Sequence, residues 1–233
     1  MSPNYIHEQA LTSLRTWSGY AEIADAMRRF PSVRIYLAGG IVRNIVAGIA
    51  AHIKDFDFFI EGAEAHAFLA HLDRHGRLTY GPFGSPRWRA GDGDPVYCDI
   101  IRITHFNNGL WRCQDIVDVL NQFDFTANAI ALDLRDGAVS DPQNGMRDAR
   151  DHRLRAVRFD YPDEPISHFT TLSRNAVLWA RLQHYAAVLH FDIEPVTQRW
   201  LDAHAHYAAE LDEFAAVLFP PTIAGRHVHT SAR

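Results

Sequence analysis

The amino-acid sequence predicts an α+β fold, in which a mixed domain of strands and helices is followed by a small helical domain. Three observations support this prediction. Segments with the two-residue period of a strand alternate with segments of helical spacing from residue 8 to residue 134. Two long helical patterns follow a proline-containing loop after residue 158. Hydrophobic residues make up 47% of the 233 residues, which is sufficient for a packed core.

The first predicted elements follow from local spacing. Apolar residues recur with helical spacing over residues 8–30, and Pro31 ends that helix. The β-branched and aromatic run at 33–38 predicts a strand that enters a tight turn at Gly39-Gly40. A short helix is predicted over 41–47. The later predicted elements are strands at 55–60, 78–83, 87–90, 96–103 and 129–134, and helices at 63–75 and 111–123.

The second domain is predicted to be helical. Residues 161–165 form a loop with two prolines, and helices are predicted over 169–190 and 195–217. The boundary is therefore placed near residue 159, with a first domain at 1–158 and a helical appendage at 159–233. The tail that follows Pro220-Pro221 is expected to be mobile.

Composition and charge argue against several classes of protein. No apolar stretch approaches the ~20 residues that a membrane-spanning helix needs, and the N-terminus lacks the regions of a secretory signal. Cys98 and Cys113 have the spacing of neither a disulfide framework nor a zinc site, which favours reduced thiols in a cytoplasmic protein. The net charge of −5, with an acidic second domain, does not favour an RNA clamp. Any basic surface is therefore expected to be local.

Acidic residues and glycines around the first two strands carry the predicted chemistry. Because side chains alternate between the faces of a strand, Asp55 and Asp57 point the same way. Two carboxylates this close repel each other unless a cation lies between them, and oxygen ligands suit Mg²⁺. The Gly39-Gly40 turn has no Cβ to obstruct a phosphate, and Arg43 lies at the start of the helix that follows. Each feature alone is common, but together they predict a triphosphate and metal site.

This order of motifs resembles the class II tRNA nucleotidyltransferase and bacterial poly(A) polymerase family. The head domain of that family carries G-G-x-V-R-D followed by D-x-D. The similar segments here are Gly39-Gly40-Ile41-Val42-Arg43, Asp55-Phe56-Asp57, the turn Phe83-Gly84-Ser85, the strand around Asp99, the run 123–129, and the segments 141–148 and 154–157. The resemblance covers residues 33–158 well and the segment at 189–193 weakly.

The resemblance implies a polymerase β-like nucleotidyltransferase head, with a mixed sheet flanked by helices. It also implies two Mg²⁺ ions bound by three residues that are both catalytic and metal-ligating: Asp55, Asp57 and Asp99. The residues predicted to bind the nucleotide are Gly39, Gly40, Arg43, Lys54, Asp124, Asn128, Arg174 and Asn175.

The chain departs from the family where nucleotides are selected. Asn44 replaces the aspartate after the motif arginine, and Gln122-Phe123 replace an arginine pair. The E-D-x-x-R motif of the neck helix corresponds to Arg174-Asn175 and Leu178 here. Leucine has no hydrogen-bond donor, so the family's choice between CTP and ATP is not expected. The printed sequence also ends where the tRNA-binding body of the family would begin, and CCA addition is therefore not expected.

These observations predict a metal-dependent nucleotidyltransferase that passes a nucleoside monophosphate from an NTP, ATP or CTP, to an acceptor hydroxyl. The acceptor is an RNA 3′ end, or otherwise a protein or a small molecule. The alternative is a catalytically inactive module that binds a nucleotide or a partner. Loss of the cationic residues favours the alternative, whereas retention of three neighbouring carboxylates favours the enzyme. The sequence does not specify the oligomeric state.

Overall fold

A computed structural model describes residues 2–50, 54–81 and 83–223, and the tail that the sequence predicts to be mobile lies mostly outside these ranges. The chain begins with two helices, α1 (Pro3–Arg15) and α2 (Tyr20–Arg29), instead of the single helix predicted over 8–30. The helix is interrupted because Trp17 is buried and its Nε1 donates a hydrogen bond to Asp94 Oδ2 at 3.2 Å. This long-range contact has no local sequence signal.

Seven strands form the main sheet, in the order β3-β4-β5-β2-β1-β6-β7. Strands β2 and β5 pair in parallel, and every other neighbouring pair is antiparallel. The sheet is therefore mixed and is flanked by helices, which confirms the predicted α+β class. The strands are β1 (Arg34–Ala38), β2 (Asp55–Glu61), β3 (Arg77–Tyr80), β4 (Pro86–Arg89), β5 (Tyr97–Arg102), β6 (Ala131–Asp133) and β7 (Val139–Ser140).

Short helices connect these strands. They are α3 (Gly40–Ala47), α4 (Ala65–Arg74), α5 (Ile116–Leu120) and α6 (Gly145–Arg150). The helix predicted over 111–123 contains only α5. It begins late because the Asp115 side chain caps it, accepting a hydrogen bond from the Asp118 backbone N–H at 3.0 Å. A 3-10 segment, Ile103–Gly109, lies between β5 and α5.

The second half of the chain is mainly helical. It contains α7 (Arg174–Leu189), α8 (Pro195–Ala203), a 3-10 turn (Ala205–Glu210) and α9 (Leu211–Val217). A small parallel sheet of β8 (Arg153–Leu154) and β9 (Asp192–Ile193) joins the two halves. Strands of two residues have no periodicity, so the sequence did not predict them. The domain boundary near residue 159 stays a prediction, although buried residues on both of its sides, including Leu154, Leu172 and Trp179, share one hydrophobic core.

The two faces of the main sheet have different environments. Phe56, Phe58 and Ile60 of β2 point into the large core, which α1, α2 and α4 cover. Phe59 points to the opposite face, into a smaller cluster around α5. Because strand residues alternate, Asp55 and Asp57 lie on the face of Phe59, beyond the edge of that smaller cluster. The fold therefore places the acidic residues outside the main core.

Both cysteines are buried and unpaired. Among the described residues, no helix combines the length and the apolar character that spanning a membrane requires.

Candidate active site

The three predicted catalytic aspartates lie on one face of the sheet. In the parallel pairing of β2 with β5, Asp57 lies opposite Asp99 and Asp55 lies opposite Tyr97. Directly paired residues of neighbouring strands share a face, as do residues two apart on one strand. The sheet register therefore brings together Asp55, Asp57 and Asp99, which are far apart in sequence.

Two of these carboxylates have protein partners. The Tyr97 hydroxyl donates a hydrogen bond to Asp55 Oδ2 at 3.0 Å. The Arg87 guanidinium binds Asp99 in a bidentate manner, with Nε–Oδ1 at 2.8 Å and Nη2–Oδ2 at 2.9 Å. In the part of the chain that the structure describes, the three aspartates do not bring one oxygen each within 4.8 Å of one another. Arg87 uses one lone pair on each oxygen of Asp99, and a cation shared by all three carboxylates would require them to move closer together.

The third carboxylate, Asp57, lies at the centre of the site. Burial is the main cause that raises the pKa of Asp57 to about 7, and the charges of Asp55 and Asp99 contribute to the same shift. Because burial and two neighbouring carboxylates both disfavour the ionised form of Asp57, a divalent cation bound here would stabilise that form. Carboxylate oxygens are also the ligands that Mg²⁺ prefers. The donor set therefore fits the predicted metal.

Gly39 connects β1 to α3 immediately beside Asp57. Its φ of +73° and ψ of −139° lie in a region that residues with a Cβ rarely adopt. A Cβ at this position would lie 2.7 Å from Asp57 Oδ2. The first-turn N–H groups of α3, which begins at Gly40, have no partners within the helix and favour an anion. The turn therefore fits its predicted role beside a triphosphate.

Arg43 lies within this region but is only 5% exposed. Its Nη1 donates to Asn128 Oδ1 at 2.5 Å, and its Nε and Nη2 donate to Asn44 Oδ1 at 3.1 and 2.9 Å. Burial lowers the pKa of Arg43. In this structure the guanidinium contacts two amides, one of them at a position where the family has an aspartate. Direct contact of Arg43 with a phosphate stays a prediction.

Asp124 and Asn128, both predicted from motifs, connect Arg43 to Arg181, which was not predicted from the sequence. Asn128 Nδ2 donates to Asp124 Oδ1 at 3.1 Å, and Arg181 on α7 binds Asp124 Oδ2 through Nη2 at 2.7 Å. Although burial lowers the pKa of Arg181, Tyr185 and the carboxylate of Asp124 raise it by more, so the net pKa shift is upward. An arginine within the apolar run 176–182 was a usable signal in the sequence, because a charged side chain among core residues requires a partner.

The other residues predicted to bind the nucleotide lie before β2 (Lys54) and at the start of α7 (Arg174 and Asn175). Burial, followed by the charges of Arg181 and Lys54, lowers the pKa of His184 to about 4. Arg174 and Asn175 lie in the first turn of α7, about 10 Å along the helix from Arg181. The structure therefore does not gather Arg174 and Asn175 with the aspartates.

The start of α7 nevertheless has polar atoms without partners. Arg174 Nε and Asn175 Oδ1 are buried and have no hydrogen-bond partner among the described residues. Asn175 Nδ2 donates to the Tyr161 carbonyl at 3.2 Å. Leu178, in the next turn, is 4% exposed and lies in the core. Buried polar atoms are normally hydrogen-bonded, so these two atoms are expected to bind a water molecule or a ligand.

A basic surface continues from the aspartates across the edge of the sheet. Trp88 and Cys98 point into the large core, so their neighbours Arg87, Arg89 and Tyr97 lie on the face of the aspartates. The guanidinium carbons of Arg87 and Arg89 lie 4.0 and 4.8 Å from the Tyr97 ring centroid. Arg77 on the edge strand β3 lines a groove together with Arg87 and Arg89, and Asp92 and Asp94 line it as well. The Nη1 atom of Arg77 lies 3.3 Å from Asp92 Oδ1. A groove with three arginines therefore lies beside Asp99, and two of these arginines, Arg77 and Arg87, are paired with aspartates.

The glycine turn and the three aspartates on one face of a mixed sheet define the class of the fold: a nucleotidyltransferase head. The solved structure described as "Crystal structure of tRNA nucleotidyltransferase complexed with a primer tRNA and an incoming ATP analog" matches with a TM-score of 0.57 at 23% identity. The match covers 81% of this chain and 51% of that chain.

Curated relatives identify the family more closely. The chain is 31% identical over 176 residues to the "Multifunctional CCA protein" of Xanthomonas campestris pv. campestris, covering 71% of this chain and 38% of the relative. It is 26% identical over 177 residues to the "A-adding tRNA nucleotidyltransferase" of Aquifex aeolicus, covering 72% of this chain and 20% of the relative. The chain's homologues are thus tRNA nucleotidyltransferases, which confirms the predicted family, although the chain spans less than two fifths of either relative. No family model matches the chain.

Proposed function

We propose that the chain is a metal-dependent nucleotidyltransferase that adds a nucleoside monophosphate from an NTP to the 3′ hydroxyl of an RNA. The observation that carries this proposal is the convergence of Asp55, Asp57 and Asp99 beside the Gly39 turn. In this reaction the acceptor oxygen attacks the α-phosphorus, and the bond from that phosphorus to the β-phosphate oxygen breaks. Pyrophosphate leaves, and the hydroxyl proton passes to solvent.

The residues of the site divide into two groups in this proposal. Asp55, Asp57 and Asp99 hold two Mg²⁺ ions, whose chemistry when bound is to lower the pKa of the acceptor hydroxyl and to neutralise triphosphate charge. The N-terminal turn of α3 binds the phosphates through backbone N–H groups. Arg43 and Arg181 hold Asp124 and Asn128 in place, because the four side chains form one hydrogen-bonded chain beside the aspartates. This hydrogen-bonded network fixes the side chains that line one side of the nucleotide site.

The arginine-lined groove beside Asp99 supports RNA as the acceptor. Arg77, Arg87 and Arg89 lie on the aspartate face or line its edge, next to the rings of Tyr80 and Tyr97. Arginines interleaved with aromatic rings are typical of surfaces that bind single-stranded nucleic acid, because they combine phosphate neutralisation with base stacking. The tRNA primer named for the solved relative agrees with this choice.

The NTP is proposed to be ATP or CTP, selected by contacts other than those of the family. Leu178 lies in the core and offers no donor to a base. The unpartnered Arg174 Nε and Asn175 Oδ1 are the candidate base contacts. We therefore propose that the protein does not add CCA. Incubation with end-truncated tRNA, CTP and ATP tests this, and ordered addition of two C and one A would overturn it.

The activity is tested with purified protein, each labelled NTP, Mg²⁺ and short RNAs. Asp57→Asn should abolish transfer. Arg89→Ala should weaken RNA binding several-fold with NTP binding unchanged, because among the described residues Arg89 donates to the Asp94 carbonyl oxygen and has no carboxylate partner. Arg199→Ala on α8 is the matched control, since it removes an exposed arginine far along the chain. Equal RNA affinity for the Arg89 and Arg199 variants would contradict the proposed acceptor surface.

A second candidate function is nucleotide binding without transfer. The bidentate pair of Arg87 with Asp99 favours it, because this pair occupies the carboxylate that would hold the second ion. Wild-type protein would then bind NTP with Mg²⁺ but transfer nothing to any acceptor. Arg87→Ala distinguishes the two candidates: if the ion pair is what prevents transfer, the variant gains activity that the wild type lacks.

A further inference from the structure

A second group of metal-ligand side chains lies on the far side of the sheet from Asp57. It consists of Glu22 on α2, and His71 and His75 at the C-terminal end of α4. One ligand atom from each of the three side chains lies within 4.8 Å of the other two. Helices α2 and α4 cover the large core, so this group does not belong to the candidate active site.

The two histidines have the spacing of a bidentate metal site. Positions four apart on a helix lie above one another on one face, and the ring centroids of His71 and His75 are 4.2 Å apart. His75 Nδ1 lies 2.8 Å from the His71 carbonyl oxygen. A hydrogen bond to a carbonyl places the proton on Nδ1 and leaves Nε2 free as a metal ligand. His75 is therefore already in the tautomer that a metal requires.

His71 provides the independent observation that points to a ligand. The residue is 2% exposed, and its Nε2 has no hydrogen-bond partner within the described ranges. The oxygen Oδ2 of Asp25 lies 3.7 Å from Nε2, which is too long for a hydrogen bond. A buried imidazole nitrogen without a partner is costly, and a metal ion would satisfy it.

The charges around the group permit a divalent cation. Glu22 supplies the negative ligand of the group, and Asp25 adds negative charge near His71. Arg28 pairs with Asp25 at 2.9 Å, and Arg29 and Arg74 add positive charge near His71. His75 is exposed and Glu22 is half-buried, so an ion and a water ligand can reach the group from solvent.

We propose that Glu22, His71 and His75 form a zinc site that links α2 to α4. Two imidazole nitrogens and one carboxylate oxygen suit Zn²⁺, whose remaining tetrahedral position would be taken by water or by Asp25. The site stabilises the helical layer and takes no part in nucleotidyl transfer, because it lies on the opposite side of the sheet. The proposal is independent of the proposed function.

The test uses the full chain after removal of metal with a chelator. Zn²⁺ is titrated by calorimetry in the presence of excess Mg²⁺, which occupies the carboxylate site, and Co²⁺ then serves as a spectroscopic substitute. Wild-type protein should bind one Zn²⁺ per chain and show the visible absorption of tetrahedral Co²⁺. The ion should also raise the melting temperature.

His75→Ala and Glu22→Gln should each weaken Zn²⁺ binding at least ten-fold and abolish the Co²⁺ band. His75 is chosen over the buried His71 because removal of an exposed side chain leaves the core packing intact. His66→Ala is the matched control, since His66 is exposed on the same helix. If the His75 variant does not fold, Zn²⁺ binding is compared between the wild type and the Glu22 variant alone. Equal affinity of the wild-type, His75 and Glu22 proteins, or no Zn²⁺ binding by the wild type, would overturn the proposal.

Discussion

Replacement of Asp57 by Asn is expected to stabilise the metal-free protein while abolishing its response to Mg²⁺ and NTP. The pKa of Asp57 is about 7 in the folded protein, against an ordinary value of 3.8. The folded state therefore binds this proton more tightly than the unfolded state, and stability falls as pH rises from about 4 to about 7. An amide of the same shape carries no charge and avoids this loss.

The magnitude follows from the size of the pKa shift. A shift of about three units, at about 1.4 kcal/mol each, gives an upper limit of about 4 kcal/mol. Partial exposure of Asp57 and its coupling to Asp55 and Asp99 reduce the expected gain to about 2 kcal/mol. The gain should be larger at pH 8 than at pH 5, where the carboxyl group is mostly protonated in the folded protein.

Urea unfolding with a chelator present, at pH 5 and pH 8, measures this gain. Asp73→Asn, which removes an exposed carboxylate from α4, is the control and should change stability little at either pH. A second titration with Mg²⁺ and ATP should stabilise the wild type but not the Asp57 variant. An Asp57 variant no more stable than the wild type at pH 8 would refute the argument that this carboxylate carries unrelieved negative charge.

Three further changes test other parts of the structure. Gly39→Ala should destabilise the protein by about 1–2 kcal/mol and weaken NTP binding, because the added Cβ would lie 2.7 Å from Asp57 Oδ2 at a positive φ; thermal melts with and without NTP measure both effects. Arg181→Met should cost about 3 kcal/mol by leaving Asp124 without its charged partner, and a melting temperature equal to that of the wild type would show that the pair is not needed. Phe169→Ser should leave urea unfolding unchanged within about 0.5 kcal/mol, because Phe169 is 98% exposed.

Much of the head domain could be predicted because its strands have strong local patterns. The alternation in β2 and the β-branched run of β1 predicted both strands, and the glycine pair predicted the turn between β1 and α3. The interruption between α1 and α2 could not be predicted, since Trp17 fits the apolar spacing of a continuous helix. Its buried position depends on Asp94, which is distant in sequence.

The site residues could be predicted where a local motif marks them, but not where their role depends on long-range contacts. The motifs predicted Asp55, Asp57 and Asp99, and the sheet places all three on one face. Arg87 was missed because its contact with Asp99 depends on the register of β4 against β5. The role of Arg87, which depends on strand pairing and lies in no recognised motif, was therefore not accessible from the sequence, whereas Asp99 was predicted through its motif.

The parallel pairing of β2 with β5 has a consequence for how the protein folds. Parallel neighbours need a crossover, and here α4, β3 and β4 lie in the chain between the two strands. Asp57 and Asp99 meet only after that whole segment is in place, and contacts of this kind form slowly because a long loop must close first. Refolding should therefore recover helical content before it recovers the capacity to bind a nucleotide.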